Sequence, residues 1–329
     1  MSEMIGKHRR LALLLTAMCL LTLAAAGLWV VRRRGVPFVG QKEQWSIGIY
    51  RGTSPTAFPA QRRWANPVLT AQDVTDVPAK FVADPFLVQD DPGWVLFFEV
   101  YNTDTQQGDI AVATSRNTRA WKYNRIVLDE PFHLSYPYVF MWENDYYLIP
   151  ESYEANAIRL YKADEFPHQW SFVGSLIEGK DFVDPSVVHT NGKWWLFASS
   201  VSEGNTLQLF YADALTGPWT EHPMSPIVAR DEAMARPAGR VLEYDGRVIR
   251  YQQDLDAAWG HRVWAFEVTE LTTTAYQETG LSADPILEAS GSGWNATAMH
   301  HIDPHQTGDD EWIASVDGFG TYLVFGLEY

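Results

Sequence analysis

Apolar and polar positions alternate along this chain in short runs, and one arrangement of them returns at intervals of roughly fifty residues. Four copies align without a gap: ADPFLVQDDPGWVLFFE (83–99), SYPYVFMWENDYYLIPE (135–151), VDPSVVHTNGKWWLFAS (183–199) and ARPAGRVLEYDGRVIRY (235–251). A looser fifth covers 294–318. Each copy reads as a Pro-started apolar strand, a polar turn around Asp91, Asn144, Asn191 or Asp245, and a second strand rich in aromatics, which is the pattern of a β-hairpin. A third alternating run follows in step at Ile110–Val112, Ile158–Leu160, Leu207–Leu209 and Val263–Ala265. An aromatic then marks a fourth at Trp121, Trp170, Trp219 and Tyr276. Small four-stranded sheets repeating at this period cannot bury both faces unless neighbours stack on them, so the expected fold is all-β, a five-bladed β-propeller over 43–329. The strand at Trp45–Tyr50 precedes the first copy, and it is expected to complete the fifth blade and latch the ring, removing exposed edges.

The first residues follow a different pattern. Leu11 to Val31 is an uncharged apolar run between Lys7, Arg9 and Arg10 on one side and Arg32, Arg33 and Arg34 on the other. Such a length spans a bilayer as one helix. Ala24-Ala25-Ala26 offers a signal-peptidase site as the rival reading, but the apolar run continues past it, which favours an uncleaved anchor. The expected organisation is a basic N-terminus (1–10), a transmembrane anchor (11–31), a linker (32–42) and the propeller. With three basic residues on each side, charge does not orient the anchor; the signal-anchor arrangement places the propeller outside the cytoplasm. Cys19, the only cysteine, lies in the apolar run and says nothing about disulfides.

Residues 1–34 hold six of the 25 Lys and Arg and one of the 41 Asp and Glu, so the remainder carries a formal charge of −21. That balance repels phosphate backbones and excludes nucleic acid as a partner. Asp254-Leu-Asp256 has the spacing of a nucleotide-sugar motif but ends a predicted strand with no βαβ context, and reads as a chance match.

In a propeller the innermost strands begin at the central channel. The residue before each copy's Pro therefore lines one funnel: Asp84, Tyr136, Asp184 and Arg236, with Trp294 and Asn295 or the His300-His301 pair from the fifth copy. The residue fourteen after each Pro forms a second ring, Glu99, Glu151, Ser199 and Tyr251. Tyr136, Tyr138 and Trp294 are positioned to stack on a sugar, whereas Trp94, Trp194, Trp195 and Trp312 read as packing between blades. The histidines admit a channel cation near His300 or His301, although a hydrogen-bonded structural role is the preferred reading; no other cofactor is expected. Asp284-Pro285 and Asp303-Pro304 lie off the repeat phase and read as turns.

The motifs FVADPFLV and FVDPSVVHTNGKWWLFAS resemble the first-blade and third-blade motifs of the five-bladed glycoside hydrolases of family 43. More closely, WSIGIYRG, EPFHLSYPYVF, DFVDPSVV, ARPAGRVL and MHHIDPH, in that order, resemble the N-terminal propeller domain of glucosamine inositolphosphorylceramide transferases and its bacterial relatives. The hydrolase resemblance implies Asp84 as general base and Asp184 as the carboxylate that tunes the acid and holds the sugar. Its fourth-blade general acid has no counterpart, because Arg236 stands there and a guanidinium stays charged. Glu151 and Glu99 are then candidates for a relocated acid, and Arg236 would favour an anionic group such as a uronate or phosphate. The reading that leads is a membrane-anchored glycan-active enzyme, hydrolase or transglycosylase, with Asp84, Asp184 and Glu151 catalytic and Glu99, Tyr136, Arg236, Trp294, Asn295 and His301 binding substrate. Its partners would be a carbohydrate or glycolipid head group and, through residues 11–31, a membrane. A non-catalytic glycan-binding propeller and a scaffold for a membrane-bound glycan assembly stand as alternatives.

Overall fold

Five small antiparallel sheets are arranged in chain order, as the repeat requires. The computed structural model describes residues 39–59, 65–256 and 260–325 together with Thr16, Met18 and 20–22, with side chains from 43 to 321 within those spans. Blade I is Ala79–Asp90, Gly93–Asn102, Gln107–Ser115 and Lys122–Leu128, and blade II is Ser135–Trp142, Asp145–Glu151, Ala157–Glu165 and Gln169–Glu178. Blade III is Phe182–Thr190, Lys193–Ser200, Thr206–Ala212 and Thr220–Glu221. In blade IV the inner strand is broken into Arg236–Pro237 and Leu242–Tyr244, followed by Arg247–Asp254, Arg262–Leu271 and Tyr276–Gly280. Blade V has three strands, Ile302–Gly308, Glu311–Phe325 and the N-terminal Val39–Gly52.

The N-terminal strand thus closes the last blade, as expected. Its outer edge is covered in turn by a bridge from Ile47 to Leu69, where the Ile47 amide donates to Leu69 O at 3.0 Å and the Val68 amide to Ile47 O at 2.8 Å. That bridge covers the edge at Ile47. The compact body runs from Gln44 to Thr321. The segment expected as an anchor, 11–31, lies almost wholly outside the described residues; within it Thr16, Met18 and 20–22 are helical and exposed. Among the described residues no helix is long and apolar enough to cross a membrane.

Local chemistry explains the hairpins. Glu143 and Asn144, Asn191 and Gly192, and Asp245 and Gly246 all have positive φ, the geometry of a two-residue turn whose twist matches the flanking strands. The outer-strand aromatics are held by a repeated device: the indole N–H donates to a carbonyl just upstream, Trp121 to Thr118 at 3.2 Å, Trp170 to Pro167 at 2.9 Å and Trp219 to Leu215 at 3.1 Å. Trp194, Trp195 and Trp312 are buried among neighbouring blades, in agreement with their packing role. Fully buried rings such as Phe86, Phe97 and Phe197 contribute roughly 1.5–3 kcal/mol each by leaving water.

Two features depart from the gapless repeat. Because the blade IV inner strand is broken, its pairing slips, and Gln253 rather than Tyr251 stands opposite Arg236. Tyr251 is buried and donates its hydroxyl to Pro55 O at 2.9 Å. In blade V the inner strand starts at Ile302, while Gly293–Asn295 is a single 3-10 turn. Asp303 and Pro304 are therefore strand residues and not a turn; Asp303 is wholly buried, accepting from Arg240 Nε at 2.7 Å and lying 2.9 Å from His305 Nε2.

Candidate functional site

In blades I, II and III the inner strand carries a β-bulge at the same place, between Ala83 and Phe86, Ser135 and Tyr138, and Val183 and Ser186. The residue inside each bulge has left-handed backbone: Asp84 at φ 52°, Tyr136 at 45° and Asp184 at 50°. Such a conformation is costly for a residue with a side chain, and doubly so before Pro, so it persists only because the surrounding sheet over-determines it. The bulge turns Asp84 and Asp184 into one cavity of about 420 Å³. Every blade contributes to it: Asp84 and Glu99 from blade I, Glu151 from II, Asp181 and Asp184 from III, Arg236 and Gln253 from IV, His300 from V, with Trp45 from the N-terminal strand.

Four of the nine residues expected to act or bind, Tyr136, Trp294, Asn295 and His301, do not line the cavity. Tyr136 is 1% exposed; its ring runs deeper than the cavity, and its hydroxyl donates to Gly239 O at 2.8 Å, accepts from the Gly239 amide at 2.6 Å and lies 2.9 Å from Ser186 Oγ. It ties blades II, III and IV together. Tyr138, expected to stack on sugar, is likewise buried and donates to Val187 O at 2.5 Å. Trp294 packs edge-on against Tyr50, and Asn295 donates to the Tyr50 hydroxyl at 3.0 Å, both away from the cavity because the fifth copy is out of phase. His301 is wholly buried edge-on to Phe86 and Tyr136, and burial pushes its imidazole down to about 4. Its neighbour His300 faces the cavity instead, since adjacent residues in extended chain point to opposite sides.

Arg236 does not wait for an anionic ligand. Its Nε donates to Asp184 Oδ2 at 2.5 Å and its Nη2 to Glu151 Oε2 at 3.5 Å. Gln253 Nε2 adds a bond to the same Asp184 oxygen at 2.9 Å, and the Asp184 amide donates to Glu151 Oε2 at 3.1 Å. On the other wall, Asp317 accepts from the backbone amides of Asp84, His300 and His301 at 3.1, 3.1 and 3.0 Å. His300 Nδ1 lies 2.8 Å from Asp317 and 3.7 Å from Asp84, and its ring stacks on Trp45 at 3.9 Å. Among the described residues Asp84, His300 and Asp317 offer ligand atoms within 4.8 Å of one another, so these are the side chains that could hold a channel cation.

Burial governs the charge states. It pushes Asp84 up to about 7 against the pull of His300, and Asp184 up to about 7 against the pull of Arg236. Glu99 is raised well above the ordinary carboxyl range, by burial first and then by the negative charges of Asp84, Glu151, Asp317 and Asp184. Glu151 is also raised by burial, but Arg236 and the Asp184 hydrogen bond oppose this. His133 Nδ1 accepts the Gly108 amide at 2.9 Å, leaving Nε2 as the protonated nitrogen 3.7 Å from Glu99; burial lowers its affinity for a second proton. His300 is desolvated too, yet Asp317 wins and raises it, while Asp317 itself is lowered by His300 despite burial.

A pH dependence of stability follows. Asp84, Asp184, Glu99, Glu151 and His300 bind protons more tightly folded than unfolded, so their contribution is present at low pH and is lost as pH rises through the folded values. His133 and His301 act oppositely, but only below the ordinary histidine value of 6.5. Between pH 6.5 and 8 the first group therefore decides. The melting temperature is expected to fall by roughly 4 °C or more over that interval, and Asp84→Asn should flatten the slope. Calorimetric scans at half-unit steps check it, and a level or rising profile refutes the assignment.

The family profile described as "Glucosamine inositolphosphorylceramide transferase 1, N-terminal" matches residues 39–319. The chain belongs to this family. The glucosamine inositolphosphorylceramide transferase 1 of Oryza sativa subsp. japonica is 37% identical over 300 residues, covering 83% of this chain and 40% of that protein. The Arabidopsis thaliana protein of the same name is 35% identical over 298 residues, covering 83% and 39%. This member of the transferase N-terminal family thus spans about two fifths of the length of these relatives. Among solved structures, the catalytic domain of the Coprinopsis cinerea family 62 α-L-arabinofuranosidase superposes with a TM-score of 0.56 at 12% identity, covering 84% of this chain and 97% of that one. A family 117 glycoside hydrolase from Zobellia galactanivorans gives 0.52 at 14%, covering 85% and 90%. At those identities the likeness establishes the shared five-bladed fold of this family domain.

Sequence reasoning placed Asp84, Asp184, Glu151, Glu99 and Arg236 in the cavity and missed Trp45, His133, Asp181 and Gln253 there, and Asp317 buried against His300. Gln253 was two residues from a position singled out, hidden by the register slip of blade IV. Asp317 lies one residue past Val316, the ladder partner of Ile302, and only the corrected phase of blade V reveals it.

Proposed function

We propose that this family member is a glycan-active enzyme, a glycoside hydrolase or transglycosylase, acting on a cell-surface glycan or glycolipid head group, anchored through residues 11–31 with the propeller outside the cytoplasm. The observation that carries this reading is the convergence of Asp84, Glu99, Glu151 and Asp184, from three blades, on one cavity. Buried carboxyls on one cavity, one keeping a proton that another gives up, are the equipment of glycosidic bond cleavage.

Asp84 is the base, aimed by its bulge and oriented by the His300–Asp317 pair. The acid is Glu99 in preference to Glu151, because Glu151 already accepts from Arg236 and the Asp184 amide, both of which favour its ionised form, whereas Glu99 accepts no hydrogen bond among the described residues. In the reaction the Glu99 proton passes to the glycosidic oxygen as its bond to the anomeric carbon breaks. Water, or an acceptor hydroxyl, forms the new bond to that carbon and gives its proton to Asp84. Asp184, fixed by Arg236 and Gln253, holds the sugar. No cofactor enters these steps.

One observation favours the second reading, a non-catalytic glycan binder: the fourth-blade acid position is occupied by Arg236, which neutralises two of the acids. Turnover of furanoside, uronate and inositol-linked glycans separates the two. Wild type should act on one of these classes, and Asp84→Asn and Glu99→Gln should each lose at least about 100-fold in kcat/KM. Binding without turnover in wild type and both variants supports the binder instead.

A further inference from the structure

The cavity's polarity identifies what it accepts. Among its lining residues Arg236 is the lone Lys or Arg, against Asp84, Glu99, Glu151, Asp181 and Asp184. That one guanidinium is engaged with Asp184 and Glu151, and His300 with Asp317. His133 is held neutral by the Gly108 amide and by burial. Asp181, by contrast, is kept low by hydrogen bonds from Ser200 Oγ at 2.8 Å and from Ser202 N and Oγ at 2.9 and 2.7 Å, and carries its full charge at neutral pH. With Glu99 protonated and Arg236 and His300 each paired with carboxylates, the lining keeps a net negative balance, and a low-dielectric cleft concentrates that field on whatever enters.

A second, independent feature is an unpaired acceptor on a residue of the cavity wall. Gln253 is 4% exposed, and its amide orientation is fixed because Nε2 donates to two acceptors, Asp184 Oδ2 and Pro237 O. Its Oε1 is therefore the atom left over, and it has no partner. A buried acceptor without a donor costs about 1–3 kcal/mol; Oε1 is closed to solvent, so a ligand O–H or N–H seated beside Gln253 at the cavity wall offsets that penalty once the amide shifts toward it. Phe81, Tyr153 and Val201 also line the cavity and offer apolar surface to the C–H face of a ring.

We propose that the cavity receives an uncharged polyhydroxyl ring, a sugar or cyclitol, whose hydroxyls donate to the Gln253 and carboxylate oxygens, and that it rejects carboxylate- or phosphate-bearing rings. On an anionic glycan or glycolipid the charged group stays outside the cavity. This reverses the preference that Arg236 suggests when the sequence is read alone, and it rests on the cavity being the glycan site.

The test uses the full chain at pH 7.5 and matched probes: methyl β-D-glucopyranoside against its uronic acid counterpart, and myo-inositol against inositol 1-phosphate, followed by titration calorimetry and saturation-transfer NMR. The neutral member of a pair should bind at least about tenfold more tightly than the anionic one. Asp181→Asn, which removes one charge at the wall and keeps its shape, should narrow that ratio by about threefold. Equal or tighter binding of the anionic probes, or a ratio that Asp181→Asn leaves unchanged, overturns the proposal while leaving the glycan site standing. Failure of all four probes to bind removes the glycan site itself, and the proposal with it.

Discussion

Gly239→Ala is expected to abolish stable folding of the ring. Gly239 has φ +140°, a region that residues with a Cβ rarely enter, and a Cβ built there would stand 1.7 Å from the Ile302 carbonyl oxygen and 2.7 Å from its carbon. The obstacle is backbone, so no rotamer change relieves it. Gly239 and Ile302 form a parallel bridge in which blade IV meets the first inner-strand residue of blade V, and the Ile302 amide donates to Ala238 O at 2.8 Å. Tyr136 clasps the same glycine through both its N–H and its C=O. Separating the two chains by the ångström or more that a methyl group needs would break these contacts together. The cost should exceed about 4 kcal/mol, a large part of the total stability of an ordinary domain. Gly192→Ala is the comparison: its φ is +71°, but nothing lies within 4 Å of the added carbon, and about 1 kcal/mol is expected. Urea melts of the two variants check the contrast, and a Gly239→Ala protein as stable as Gly192→Ala would refute it.

That glycine also shows where legibility in the sequence stops. The hairpin turns, third strands and outer aromatics of blades I to III were readable because each is local: two or three residues determine a turn or an alternation. Asp84 and Asp184 followed from the same repeat, since the Pro after each fixes the phase. Blade IV broke the inference because a gapless alignment conceals a strand interruption between Pro237 and Leu242, where Gly239 is spent on an approach by blade V. The fifth copy failed for the opposite reason: Trp294 and Asn295 look like a strand start, but they form a 3-10 turn, only a single bridge from Ala298 to Phe319 precedes the ladder, and the inner strand begins seven residues after Asn295, at Ile302. Side-chain depth was not readable at all. Tyr136 occupies the same bulge as Asp84 and Asp184 with nearly the same φ, yet its longer side chain reaches past the cavity to Gly239, so an equivalent backbone position produces a structural clamp in one blade and a cavity carboxylate in two others.

Arg236 carries the second large effect, and its size depends on pH. Removing its guanidinium by Arg236→Met keeps most of the volume but leaves Asp184 and Glu151, 2% and 4% exposed, without their counter-charge. Breaking a buried pair by deleting one partner costs about 3–5 kcal/mol, chiefly through the stranded charge, and that loss is expected for Arg236→Met at pH 7.5. The two carboxyls, already raised by burial, would rise further without Arg236 and take up protons, so at pH 5 the loss should shrink to about half or less. Adding Asp184→Asn to Arg236→Met removes one stranded charge while Gln253 and the local shape remain, and at pH 7.5 it should restore part of the lost stability, a coupling that a double-mutant cycle isolates. Urea denaturation of wild type, both single variants and the double variant at the two pH values makes the measurement. Equal losses at pH 5 and 7.5 with no recovery in the double variant would mean that Arg236 acts through its packing alone. The proposed mechanism would then lose the electrostatic lock by which it fixes Asp184 for the sugar and reserves Glu99 as the carboxyl that carries the proton.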